Sequence, residues 1–127
     1  MARPKVKELT ERELEIMHVA WRVGEATVAT IRDELATDGR DLAYTTVATL
    51  VRILNEKGFL KQTNEDRPFL FKPARTFEEV SGNLLTDLVQ RVFGGSREQL
   101  MLRLLEQKKL TKKERETIEQ ILREGKS

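Results

Sequence analysis

Tyr44 to Thr63 reads YTTVATLVRILNEKGFLKQT, and a change of period inside it decides the fold. Up to Lys57 the apolar residues Val47, Leu50, Val51 and Leu54 fall at i, i+3, i+4 and i+7, the buried stripe of a helix. Gly58 ends that helix, and Phe59 to Thr63 is a short β-favouring run. A second such run, Pro68 to Lys72, follows the turn formers Asn64-Glu65-Asp66-Arg67, so a hairpin succeeds the helix. Phe69 and Phe71 share one of its faces by two-residue alternation. Pro68 and Pro73 predict an edge position for this second run, because proline has no N–H to give a further neighbour.

Two helices precede the quoted stretch. Thr10 with Glu13 forms a capping box, in which a hydroxyl and a carboxylate satisfy N–H groups that the first turn leaves free. The helix it opens runs from about Glu11 to Val23 and stops at Gly24, a residue suited to a left-handed end. Its polar stripe is Glu11, Glu15, His18 and Arg22, and most of the remaining circumference is apolar, as in a scaffold helix lying between neighbours. A second, shorter helix begins after Thr27, sets Val28, Ile31 and Leu35 on one side and ends near Gly39.

Beyond Pro73 the pattern is helical in three pieces, divided by Gly94-Gly95 and by Leu110-Thr111. Capping boxes recur at Thr76 with Glu79, Ser96 with Gln99 and Thr111 with Glu114. The apolar faces are Phe77, Val80, Leu84, Leu85, Leu88 and Val92; then Leu100, Met101, Leu104 and Leu105; then Ile118, Ile121 and Leu122. Three short helices enclose too little area to offset chain entropy alone, so these faces are expected to meet a second copy of the chain. The division expected is residues 1–75 and residues 76–127.

Composition removes several function classes. The chain has 127 residues, 39% apolar and 35% charged, too apolar for general disorder. It has no cysteine, hence no disulfide framework and no thiolate metal site, which fits the reducing cytoplasm. No apolar run approaches the roughly 18 residues that span a bilayer, and Met1 to Lys7 lacks an apolar signal core, so no membrane insertion is expected. His18 is the sole histidine and sits beside Glu15 and Arg22 on a polar face. It has no partners for a metal and no triad with Ser81, Ser96 or Ser127. Gly94-Gly95 lacks the Gly-Lys-Ser/Thr of a phosphate loop. Neither an enzyme nor a cofactor is expected.

Charge is concentrated where the period changes. Residues 40–75 carry seven basic against four acidic side chains, whereas residues 1–39 carry six against eight. Opposite the apolar stripe of the third helix lie Tyr44, Thr45, Thr46, Thr49 and Arg52. A solvated helix face normally carries Glu and Lys; threonines cost helix propensity but bring no charge to repel a phosphate. Their hydroxyls can bond backbone oxygens or base edges, and their methyls can meet thymine methyls in a major groove. The hairpin would then lie along the duplex, with Lys61, Arg67 and Lys72 neutralising phosphates.

Residues 7–127 resemble the penicillinase and methicillin-resistance repressor family, the BlaI/MecI/CopY type. The likeness is carried by LTERELEIM (residues 9–17), Trp21, YTTVATL (44–50), LNEKGFL (54–60) and RPFLFKP (67–73), in that order and spacing. It implies a winged helix-turn-helix DNA-binding lobe, mostly α with a small β-hairpin wing, and a C-terminal three-helix dimerisation lobe. It also implies repression by a homodimer on an inverted-repeat operator in double-stranded DNA. By the resemblance, Thr46 and Thr49 match the recognition-helix threonines, Tyr44 and Thr45 open that helix, and Arg67 falls in the wing. The family usually has arginine directly before the leucine near the end of that helix; here the order is Arg52-Ile53-Leu54.

Relatives that answer β-lactams are released by proteolysis at an Asn-Phe bond, under a membrane-linked sensor protease. The corresponding segment here offers Arg103-Leu104. The cysteine-rich tail of copper-responsive relatives has no counterpart. The dimer seam is expected at Leu84, Leu85, Leu88, Leu100, Leu104, Leu105, Ile118, Ile121 and Leu122. The rival expectation is a winged-helix protein-interaction adaptor that does not bind DNA, its Thr-rich face docking another polypeptide.

Overall fold

Thr10 stands in extended backbone with its hydroxyl accepting the Glu13 N–H at 3.1 Å, while Glu13 Oε1 accepts the Thr10 N–H at 3.0 Å. From this reciprocal cap α1 runs Glu11–Val23 in the structure, a computed structural model that describes residues 9–107 and 109–124. Met1 to Lys7 and Ser127, which entered the expectations above, lie outside the described residues. Gly24 ends α1 at φ +83°, ψ −125°, a conformation open to glycine but outside the left-handed helical well expected for it. The chain turns there straight into a two-residue strand, β1, Ala26–Thr27. Thr27 then caps α2, Val28–Thr37, and α3 follows at Tyr44–Lys57. Gly58, in the left-handed conformation at φ +88°, ψ 13°, lets α3 pass into β2, Leu60–Gln62, and β3 is Leu70–Pro73.

The sheet corrects the edge position expected for the second run. All three strands are antiparallel in the order β1-β3-β2, so β3 is central. Proline is tolerated there for a geometric reason. Ala74 N–H donates to Phe59 on the β2 side, so by alternation the N–H that Pro73 lacks would face the β1 side. There β1 has already ended, since Ala26 and Thr27 pair only with Phe71 and Leu70.

Ile16, Met17, Val19 and Ala20 of α1, Ile31 and Leu35 of α2, Val47, Val51 and Leu54 of α3, and Phe59, Leu60 and Phe71 of the hairpin form the core. Its one buried ionisable group is Glu13, 3% exposed, among the described residues. Lys57 Nζ, at the far end of α3, donates to Glu13 Oε1 at 2.8 Å. Burial by itself raises the Glu13 carboxyl. The Lys57 hydrogen bond and charge, with the Thr10 bonds, outweigh it and hold the group below its ordinary value of 4.5. A folded-state pKa depressed in this way gives stability that is present above the ordinary value and lost as pH falls through the lowered one. Glu13→Gln is therefore expected to flatten the decline in urea midpoint between about pH 5 and pH 3. Parallel curves for the variant and the parent would refute this account of the pair.

The described chain forms two compact units, one ending at Ser81 and the other beginning at Gly82. The second contains most of α4, Phe77–Phe93, together with α5, Arg97–Leu105, and α6, Lys112–Glu124. Thr111 and Glu114 make a reciprocal cap on α6, and the Thr76 and Ser96 hydroxyls accept the Glu79 and Gln99 N–H groups. No residue of α5 or α6 is buried in the single chain.

Candidate nucleic-acid interface

Anchored by Val47, Val51 and Leu54, α3 turns Tyr44, Thr45, Thr46, Thr49 and Arg52 outward, all exposed. Its N-terminus differs chemically from those of α1 and α2. The cap residue is Ala43, which supplies no side-chain acceptor, so the first-turn N–H groups are open to an acceptor from outside. A phosphate at that end would meet both these donors and the positive end of the helix dipole. Arg52 is the one site residue already ion-paired, with Glu56 at 3.2 Å, both side chains 62% exposed. A pair so exposed holds its geometry weakly and can exchange its carboxylate for a phosphate.

The loop between β2 and β3 owes its shape to Asn64, whose role the turn pattern did not disclose. Asn64 Oδ1 accepts the Leu70 N–H at 2.8 Å, and Nδ2 donates to the carbonyls of Asp66 and Pro68 at 2.9 and 3.2 Å. Gln62 Nε2 donates to the Asn64 carbonyl at 2.7 Å. The Thr63 hydroxyl donates to the Glu25 carboxylate, tying β2 to the turn after α1. On this braced loop the Arg67 guanidinium lies 4.9 Å from the Phe69 ring centroid, a contact that orients the cation while leaving it exposed. Lys61 and Lys72 are exposed and directly opposite in the β2–β3 register. Like charges so placed oppose each other in water and favour a polyanion that screens them.

A groove of about 810 Å³ runs between α3 and this loop. It brings together Tyr44, Thr49 and Arg52 of α3 with Arg67, over an apolar floor that includes Val28, Phe69 and Phe71. Thr45, Thr46 and Lys61 lie outside it. Sequence reading missed Val28 and Ala29 at the start of α2, and Asn55 and Gln62, which also line it. Val28 lies on the apolar side of α2, and no local signal tells an apolar side facing the core from one facing a groove.

In the second unit the expected seam residues are largely uncovered. Leu85, Leu88, Leu104 and Ile121 are exposed, and Leu84, Leu100, Leu105, Ile118 and Leu122 are half-buried. The Arg103-Leu104 bond lies within α5, with Arg103 paired to Glu106 at 3.6 Å. No helix among the described residues is long and apolar enough to cross a membrane.

The family model described as "Penicillinase repressor" matches residues 9–124. The chain is 32% identical over 104 residues to the transcriptional regulator BlaI of Mycobacterium tuberculosis, covering 80% of this chain and 75% of that one. It is 25% identical over 118 residues to the methicillin resistance regulatory protein MecI of Mammaliicoccus sciuri, covering 93% and 95%. The solution structure of the DNA-binding domain of the repressor BlaI aligns with a TM-score of 0.51 at 25% identity, over 59% of this chain and 90% of that one.

Proposed function

The chain belongs to the penicillinase repressor family, and from that premise we propose that it represses transcription in the cytoplasm as a homodimer on an inverted-repeat operator. It is a winged-helix, DNA-binding repressor of the BlaI/MecI type. Residues 1–75 serve binding and residues 76–127 dimerisation. Tyr44, Thr45, Thr46, Thr49 and Arg52 enter the major groove, and Lys61 and Arg67 contact the backbone. The observation that carries this reading is the exposed, uncharged hydroxyl face of α3, beginning at a helix end without a side-chain cap. Dimerisation is supported by Leu85, Leu88, Val92, Leu104 and Ile121, which stand in water in the single chain. One recognition helix touches few base pairs. Two held one helical turn apart, about 34 Å, combine their free energies on a palindrome. Derepression follows from cleavage at Arg103-Leu104 by a membrane-linked sensor protease, a step that first requires the last turns of α5 to open locally.

Salt separates phosphate contacts from base contacts. For a duplex that the protein selects from a random-sequence library, affinity should fall steeply with salt. Arg67→Ala should weaken all sequences alike and lower the log–log slope by about 1. Thr46→Ala or Thr49→Ala should instead change preference among sequences, by roughly 1–3 kcal/mol per lost base contact. Duplex binding that ignores both salt and Arg67→Ala would replace this reading with that of a protein-interaction adaptor.

A further inference from the structure

Three contacts hold the start of α4 to the first unit. The Trp21 indole Nε1–H, on the last turn of α1, donates to the Arg75 carbonyl oxygen at 2.9 Å. The same ring meets Phe77, the first residue of α4, edge-on with centroids 5.2 Å apart. Val80, one turn further on, is 2% exposed. Arg75 is held in turn by its guanidinium, 5.4 Å from the centroid of the buried Phe59 ring. The stretch joining β3 to α4 is thus fastened through its carbonyl, its cation and the first ring after it.

Two residues past Val80 the helix changes character. Gly24, Gly39, Gly58, Gly94 and Gly95 all have positive φ, which explains why each is glycine. Gly82 lies inside α4 without positive φ, and a Cβ there would meet nothing within 4 Å. Neither conformation nor close approach in the chain requires glycine at this position, and its effect is to weaken the helix locally. The two compact units divide at this same point, between Ser81 and Gly82.

We propose that Trp21 is a positioning residue for operator binding: it makes the first turn of α4 part of the recognition unit, so that the helix yields only from Gly82 onward. This rests on the homodimeric repressor reading above. On a two-half-site operator the second lobe binds intramolecularly, and its effective concentration is greatest when the chain's direction already matches the spacing. Freeing the Arg75 carbonyl spreads the directions in which α4 leaves the recognition unit. Affinity for a correctly spaced operator then falls and spacing is read less strictly. Binding to one half-site, which engages one lobe, stays as it was.

The test uses the full chain and duplexes selected by the wild-type protein from a random-sequence library. These are the selected inverted repeat, the same repeat with one or two base pairs inserted or removed at its centre, and a single half-site. Trp21→Phe removes the Nε1–H donor and keeps an aromatic ring. It should leave half-site affinity within about twofold, weaken the selected repeat about tenfold, and bring the repeats of different spacing closer together in affinity. Gly82→Ala, for which there is room, should do the reverse, sharpening discrimination among spacings with half-site affinity unchanged. Equal loss on half-site and full site in Trp21→Phe would show a merely structural role and overturn the proposal. Spacing profiles of both variants that overlay the wild type would also overturn it. Should Trp21→Phe fail to fold, Gly82→Ala decides by the same profile. Failure of the underlying reading looks different, because the wild-type protein itself would then select no duplex, or only isolated half-sites.

Discussion

Leu88→Asp is expected to dissociate the homodimer proposed above or to unfold its C-terminal helical lobe, and to weaken binding to a two-half-site operator by two to four orders of magnitude. Leu85, Leu88 and Val92 share one stripe of α4 at i−3, i and i+4, and they are 50%, 40% and 64% exposed in the single chain. At 40% exposure Leu88 is partly covered within the single chain, so an aspartate there gives up some apolar contact but keeps its carboxylate in reach of water. In a seam between two copies the same carboxylate would be desolvated with no partner in reach, a penalty of several kcal/mol. The substitution thus acts through the proposed seam and leaves the core of the first unit untouched. Sedimentation velocity should show the loss of the dimer, while half-site affinity, which needs only the first unit, persists. An unchanged sedimentation coefficient would place the seam on another face.

Phe59→Ala should produce the largest loss of stability, about 3–5 kcal/mol, against a typical domain total of about 5–15 kcal/mol. Phe59 is 2% exposed and stands where α3 becomes the wing. Its N–H donates to the Leu54 carbonyl at 2.9 Å, and its own carbonyl accepts the Ala74 N–H at 2.8 Å. The ring fills the core between these backbone bonds and lies under the Arg75 guanidinium. Truncation leaves a cavity that cannot collapse without moving the helix end, the strand or the segment leading to α4. Urea unfolding of the full chain reads the loss directly. A change below about 1 kcal/mol would mean that the site relaxes around the smaller side chain.

How legible the protein was in its sequence differs from element to element. Both ends of α1 and the C-terminal end of α3 follow from Thr10 with Glu13, from Gly24, and from Gly58, because a cap acts within one turn of the residue that supplies it. The outward face of α3 was equally readable, since Val47, Val51 and Leu54 decide which way Thr45, Thr46 and Thr49 must point. The strand Ala26–Thr27 was invisible. Two residues carry no period, and their pairing depends on Leu70 and Phe71 arriving beside them. For the same reason β3 was placed at an edge: its prolines were visible, whereas the neighbour that stops short of Pro73 was not. Asn64 could be recognised as a turn former, but its bonds to Asp66, Pro68 and Leu70 needed the path of the loop.

By itself, then, the sequence determined where helices begin and stop, which side of each is apolar, and that a hydroxyl-bearing helix is followed by a basic hairpin. Those properties arise from interactions within a few residues, whose geometry is set by the helix or strand period alone. The tertiary structure decided that Glu13 meets Lys57 across 44 residues, that Trp21 grips the Arg75 carbonyl across 54, and that Tyr44, Arg52 and Arg67 share one groove. Such contacts depend on how the chain returns on itself. The core selects that return as a whole, by burying Ile16, Leu54 and Phe59 together, and no local preference anticipates which polar groups are left facing one another when it has done so.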